Sequence, residues 1–312
     1  PGLAARPGHG GIDQAVAGAV VRVYPEVAEW IVQVPAGQTE ATYAARLQAT
    51  GLFEYVHPDW LVSPALVPND PRYPQQWHLP RMALPAAWDI TTGSPSVIVA
   101  FCDSGVDLAH PDLVDVLVPG YNSVDNLAQA DGGVVAALND HGTEVAGCIG
   151  AVGNNAVGVA GMGWNLRLMP IRVTNLLSGN ATLSEINEGA RWAADHGAKV
   201  VNISYTGVSS PTNATTGLYL RDRGASCVWA AGNASGSAGP LDIPELLVVG
   251  ATASDDSLAT FSNSGPALDV VAPGVGIWTT RNGGYAAPDG TSFAAPLAAG
   301  ALALARSANP SW

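Results

Sequence analysis

Lysine is almost missing from this chain: of 312 residues only Lys199 is one, and bases total 13 against 26 acids. A formal charge of −13 excludes the basic patches that a nucleic acid or an anionic membrane surface would need. It favours solubility and leaves carboxylates for a hard cation. Charged residues of either sign are few, at 12%, while hydrophobic residues reach 47%, so a sizeable core is expected rather than disorder. Cysteine is scarce too. Cys102, Cys148 and Cys227 are widely spaced, form no CxxC or Cys/His pattern, and stand in apolar surroundings. That gives no indication of a zinc site and reads as buried free thiols rather than a disulfide or a reactive thiol. The longest apolar run, near Ala294–Ala305, is too short and glycine-broken to span a bilayer, so no membrane span is expected. The chain shows no initiator methionine and no signal-peptide pattern, which reads as a trimmed N-terminus.

What is present falls into two blocks. Ser-Pro-Ala-Leu-Val-Pro-Asn-Asp-Pro, around residues 63–70, has three prolines and no period, and reads as a linker. Residues 1–66 and 67–312 are therefore expected to be separate domains. The first carries a small β-α-β pattern: a strand over 29–34, a helix over 39–49 and a strand over 53–57. About 65 residues is marginal for an independent core. In the second, apolar runs at 96–103, 166–172, 199–203, 226–231 and 246–251 fit strands covered on both faces. Helical periodicity lies between them at 141–150, 182–196 and 292–307. This alternation predicts an α/β fold, a doubly wound parallel sheet with helices on both sides, preceded by a small α+β block. In such sheets sites lie at the carboxyl ends of strands.

Three segments carry chemistry. Phe101-Cys-Asp-Ser-Gly-Val-Asp107 places Asp103 at a strand end. Asn139-Asp-His-Gly-Thr-Glu-Val-Ala-Gly147 places His141 at a helix start. Gly290-Thr-Ser-Phe-Ala-Ala-Pro296 places Ser292 at another. A serine hydroxyl is a poor nucleophile at neutral pH. It needs a base to take its proton, and the base needs a carboxylate to hold its tautomer. A fourth segment, Ala230-Ala-Gly-Asn233, offers an amide donor that could hold an oxyanion together with the Ser292 N–H. Alone, each is ordinary: a turn aspartate, a structural histidine, an N-cap serine, a turn asparagine. The four in this order are hard to explain by coincidence.

Together they resemble the subtilase family, close in pattern to subtilisin and thermitase, over residues 68–312. The resemblance implies a serine endopeptidase working through an acyl-enzyme, with Asp103, His141 and Ser292 as triad and Asn233 as oxyanion donor. It also implies that the peptide binds as an added strand along Ser178 and Gly179 on one side and Ser204, Tyr205 and Thr206 on the other, with Ala230 and Gly232 lining the pocket beside the scissile bond. Ala234 supplies no carboxylate there, so apolar or aromatic residues are expected before the cleaved bond. Thr206 stands where the family has glycine and is expected to narrow that pocket.

A calcium site is implied as well. Asp70 and Asp112 match its acidic ligands, and the loop Val152–Val159 matches the rest, with the Asn155 side chain and the carbonyls of Val152, Val157 and Val159. The leading block resembles the family's inhibitory prodomain. Phe53–Asp59 would be its last strand, Trp60–Ser63 a product-like tail, and the autocleavage bond would fall between Ser63 and Val67. The implied picture is a secreted monomer acting on polypeptides, made as a precursor inhibited by its own prodomain. Several positions depart from the family: Glu144 for a second histidine, Phe293 for methionine, Leu297 for another histidine, and a pattern that would continue for one helix and strand beyond Trp312. A zymogen held latent, a non-catalytic binding module and a transpeptidase with the same triad are the competing readings.

Overall fold

The computed structural model describes residues 2–5, 15–16, 20–60 and 66–312. The expected tail after Trp60 and most of the expected cleavage region lie outside the described residues. The chain divides into two compact units, Pro1–Pro64 and Ala65–Trp312.

The N-terminal unit holds β1 (Gly2–Ala5), β2 (Val20–Tyr24), β3 (Glu29–Val32), α1 (Glu40–Gln48) and β4 (Phe53–His57). The strands form one sheet in the order β2-β3-β1-β4, with antiparallel pairing throughout. The β-α-β reading therefore captured only half of the strands. Val20-Val-Arg-Val-Tyr24 is almost wholly exposed, so its sequence lacks the alternation that burial on one face imprints. Thr39 caps α1 through a capping box with Thr42. The helix buries Tyr43 and Leu47 against Val32 and Phe53.

The C-terminal unit opens with two short helices, α2 (His78–Arg81) and α3 (Leu84–Trp88). There follow β5 (Ile98–Asp103), β6 (Tyr121–Asn122), β7 (Leu127–Ala128), α4 (His141–Gly150), β8 (Arg167–Arg172), α5 (Leu183–Asp195) and β9 (Ala198–Ile203). Then come α6 (Pro211–Arg221), β10 (Ser226–Ala230), β11 (Leu246–Thr252), β12 (Val270–Pro273), the hairpin β13 (Thr279–Arg281) and β14 (Gly284–Ala286), and α7 (Thr291–Ala308). Eight strands form one sheet in the order β12-β11-β10-β9-β5-β8-β6-β7, parallel except for the edge pair β6–β7. Its faces alternate residue by residue. Val99, Phe101, Val200, Val228 and Val249 pack with α4 and α7, whereas Ala100, Cys102, Val201, Cys227 and Val248 pack with α5 on the other side. Burial on both faces is why these strands read as unbroken apolar runs. All three cysteines are free and buried, and burial pushes the Cys148 and Cys227 thiols up to about 12.

The chain passes from β5 to β8 on one side of β5 and returns to β9 on the other. This reversal is the crevice where doubly wound sheets place their sites. Asp103, Ile203 and Ala230 all end strands beside it.

Candidate active site

Asp103, the last residue of β5, is 1% exposed and points at α4, where its carboxylate accepts from His141 Nδ1 at 2.8 and 3.0 Å. It also accepts from the Ser104 N–H at 2.8 Å and the Ser104 hydroxyl at 3.2 Å. A buried carboxylate is costly unless paired and hydrogen-bonded, and this one has two full donors from the chain itself, the Ser104 N–H and His141 Nδ1, besides a Ser104 hydroxyl whose one proton lies closer to Asn139. The approach depends on Gly142. A Cβ there would run into the Gly105 carbonyl and crowd Asp103, so only glycine lets α4 start so close to β5. Asn139 then fixes the turn: its Oδ1 accepts from the Ser104 hydroxyl (2.7 Å) and the His141 N–H (3.1 Å), and its Nδ2 donates to the Leu177 carbonyl.

His141 is 35% exposed on its side chain. Burial lowers its pKa, but the charge and hydrogen bond of Asp103, with a smaller contribution from Glu144, outweigh burial and leave it raised above its ordinary value. Its ring packs on Phe293, centroids 5.7 Å apart, which brings the turn of α7 against it.

Ser292 sits at the second position of α7. Pro296, inside that helix, lacks the N–H that would normally bond the Ser292 carbonyl. The vacated carbonyl accepts instead from the Ser204 hydroxyl at 2.9 Å, and that hydroxyl accepts from buried Asn202 at 3.0 Å. The end of β9 is thereby tied to the serine turn. Ser292 Oγ itself donates a long 3.4 Å bond to the Ser204 carbonyl, and among the described residues no hydrogen bond joins it to His141. Resting geometry of this kind often tightens only when substrate is bound.

Asn233 follows β10. Its Oδ1 accepts from both the N–H (2.9 Å) and the hydroxyl (2.8 Å) of Thr291, so its orientation is dictated and Nδ2 is turned away from Thr291. Among the described residues neither Asn233 Nδ2 nor the Ser292 N–H has a hydrogen-bond partner. Two orphan donors therefore stand at the serine turn.

A cavity of about 460 Å³ adjoins His141, lined by Asp103, Glu144, Ser178, Gly179, Ser204 and Tyr205, among others. The Tyr205 hydroxyl donates to the Gly179 carbonyl at 2.8 Å, linking the two segments read as substrate-binding. Ala230 and Gly232 lie outside this cavity's lining, on the far side of the Ser204–Thr206 segment. The residues that sequence reasoning missed are Ser104, Asn139, Asn202 and Thr291. Ser104, Asn139 and Thr291 stood within the segments singled out, next to or near the residue each supports, but their bonds cross between elements.

The six residues read as calcium ligands also come together. Asp112 is buried and ties the loop: it accepts from Asn155 Nδ2 (3.0 Å) and the Val159 N–H (3.0 Å), and its carbonyl accepts from the Val152 N–H (2.9 Å). Asp70 is buried nearby, and its Oδ2 accepts from the Asn154 N–H at 2.6 Å. Its Oδ1 is buried with no partner. Burial raises the Asp70 pKa, partly opposed by backbone donors and reinforced by Asp112. Asn155 Oδ1 accepts from the Val157 N–H and keeps a second lone pair. Among the described residues the carbonyls of Val152, Val157 and Val159 accept no hydrogen bond. Among them, too, no cluster of three or more His, Cys, Asp or Glu side chains could hold a metal. A cation here would rest on two carboxylates, one amide and three carbonyls, an all-oxygen set that suits a hard divalent ion.

Comparison with known proteins identifies the family. Residues 94–312 match the Subtilase family. The chain is 40% identical over 273 residues to the thermophilic serine proteinase of Bacillus sp. strain AK1, covering 86% of this chain and 66% of that one. This alignment takes in more of the chain than Ala65–Trp312, so it reaches into the N-terminal unit. The chain is 36% identical to thermitase of Thermoactinomyces vulgaris, covering 76% of this chain and 84% of that one. Among solved structures, a protease from Pseudoalteromonas arctica superposes with a TM-score of 0.72 at 32% identity, over 79% of this chain and 89% of that one.

Proposed function

The chain belongs to the subtilase family of serine peptidases, and from that premise we propose that it hydrolyses internal peptide bonds of polypeptides through an acyl-enzyme on Ser292. The observation that carries this reading is the buried Asp103 carboxylate held on His141 Nδ1. That bond keeps the proton on Nδ1 and leaves Nε2 as the basic nitrogen. Ser292 Oγ attacks the scissile carbonyl as His141 takes its proton. The tetrahedral oxyanion accepts from Asn233 Nδ2 and the Ser292 N–H, the two donors that the resting protein leaves unsatisfied. His141 then protonates the departing amine and activates the water that releases the acyl group. Asp103 stays ionised and steadies the imidazolium.

In this reading Asp70, Asp112, Asn155 and the carbonyls of Val152, Val157 and Val159 hold calcium. The ion would neutralise two buried carboxylates and stabilise the loop that follows α4. The N-terminal unit acts as an inhibitory prodomain that is later cut from the peptidase unit near residues 63–67. The mature product is a secreted monomer. Supporting the prodomain reading are the division of the chain after Pro64 and the alignment that runs beyond the C-terminal unit into a relative named as a proteinase.

Fluorophosphonate labelling followed by intact mass tests the proposal. One adduct on the wild type and none on Ser292→Ala is expected, with labelling increased after the 61–65 segment is cut. A wild type that stays unlabelled both before and after the cut would rule the peptidase reading out for this chain.

A further inference from the structure

β5 and β8 stay in parallel register to their last residues, which sets Asp103 beside Arg172 at the crevice. The Arg172 side chain is buried, and its bonds go to neutral oxygens. Nε donates to the Thr174 carbonyl at 3.0 Å, Nη1 to the Ala136 carbonyl at 3.1 Å and Nη2 to Asn175 Oδ1 at 2.8 Å. Negative charge reaches it at one remove, through the Asn175 amide, which donates to Asp125 at 2.9 Å. A charge buried in this way costs stability that a well-packed apolar side chain would not, so its presence points to what it holds.

The acceptors belong to two separate segments. Residues 136–138 run beside the turn after β5, with the Ala137 N–H on the Val106 carbonyl at 2.9 Å and the Leu138 N–H on the Ser104 carbonyl at 3.0 Å. They deliver Asn139 and His141. Thr174 and Asn175 begin the segment that delivers Ser178 and Gly179. Both pairs of residues line the cavity of about 460 Å³.

The second segment has no apolar anchor of its own. No side chain from Asn175 to Asn180 is buried, and Leu176 and Leu177 are 59% and 77% exposed. Hydrogen bonds therefore set its place. The Thr174 hydroxyl closes it, donating to the Asn180 carbonyl at 2.6 Å and accepting from the Leu176 N–H at 3.0 Å. Asn139 and Tyr205 donate to its Leu177 and Gly179 carbonyls. Arg172 fixes its base, and the same planar group fixes the stretch before His141. A guanidinium presents its donors in a rigid fork, whereas a lysine ammonium is a single point.

We infer that Arg172 is a positioning residue for peptide binding: it braces the stretch leading to His141 against the segment leading to Ser178 and Gly179, and so sets their separation across the cavity. This rests on the endopeptidase reading.

The test uses Arg172→Lys, which keeps the charge and loses the fork, in the full chain after the linker is cut. Active sites are counted with diisopropyl fluorophosphate, a probe too small to span both segments. Two substrates are compared, succinyl-Ala-Ala-Pro-Leu p-nitroanilide, which extends along the 178–179 segment, and acetyl-leucine p-nitrophenyl ester, which does not. Displacing a binding group by about 1 Å can cost about a hundredfold, and with the other bonds of the segment intact the expected loss is about tenfold. It should appear as a higher KM for the tetrapeptide with kcat within about threefold, the pattern of lost uniform binding. KM for the ester and the labelling rate should stay within about twofold of wild type. If Arg172→Lys does not fold, Asn175→Ala removes one acceptor from an exposed position, and a rise of about threefold in the tetrapeptide KM alone is expected. A variant that labels normally with an unchanged tetrapeptide KM overturns the inference and leaves the peptidase reading standing. So does a variant that loses equally on both substrates, which would make Arg172 a general structural support. A wild type that neither labels nor turns over substrate defeats both.

Discussion

Two buried aspartates, Asp103 and Asp70, face the same physical problem and solve it differently. Each is removed from water, which penalises its charged form. Asp103 is satisfied from within the chain: the Ser104 amide donates to one oxygen, and His141 Nδ1 lies within hydrogen-bond reach of both. Asp70 receives the Asn154 amide on one oxygen, while the other oxygen is buried and unpartnered, with a second carboxylate, Asp112, close enough to raise its pKa further. A self-sufficient carboxylate can be positioned accurately and kept ready to work. A carboxylate that the fold leaves unsatisfied asks for a guest of opposite charge. The first arrangement suits chemistry, and the second suits a stabilising cation.

This contrast can be broken by exchanging the two effects. Asp103→Asn keeps the shape but offers His141 an amide, and kcat is expected to fall about 10⁴-fold, as in serine proteases of unrelated fold. The rise in Tm expected from the proposed calcium site should survive, by thermal melts with and without the ion. Asp70→Asn should do the opposite. At calcium about a hundredfold above its Kd, binding contributes about 2.7 kcal/mol, or about 5–10 °C for a unit of this size. The variant should lose that increment in a melt while its initial-rate kcat at low temperature stays within about threefold. If Asp103→Asn abolished the calcium increment, or Asp70→Asn left it intact, the division of labour would be wrong.

The smallest effect sharpens the catalytic half. Glu144 lines the cavity beside His141, and its charge adds to those holding the imidazole pKa up. The base must be neutral to accept the serine proton, so a raised pKa places the acid limb of kcat/KM at higher pH. Glu144→Gln removes negative charge, lowers the His141 pKa, and should move that limb to lower pH by a fraction of a unit. A limb that moves to higher pH would show that another group controls it.

Much of the sheet was legible because burial on both faces leaves a continuous apolar signature, as in Ile98–Asp103 and Leu246–Thr252. α6 was not, because the residues it buries include Asn213, Thr216 and Gly217, which carry no apolar period. Asn213 is buried to bond the Gly207 and Val208 carbonyls at 2.9 Å, a role that only the loop before α6 makes visible. β2 failed for the opposite reason, being apolar yet exposed on both faces. In the site, the four chemical side chains announced themselves by residue type at strand and helix ends. Their supports did not, since Ser104, Asn139 and Asn202 are common residues whose bonds cross between distant segments.

The sequence by itself determined the alternation of strands and helices and the residue types set at the crevice, because local periodicity and motif spacing are written along the chain. Tertiary structure alone decided that Gly142 lets a carboxylate reach a histidine 38 positions away. It also decided that Pro296 frees a carbonyl for Ser204 and that one Asp70 oxygen is left unsatisfied. These depend on distances between residues far apart in the chain, and packing sets them only once the sheet has formed.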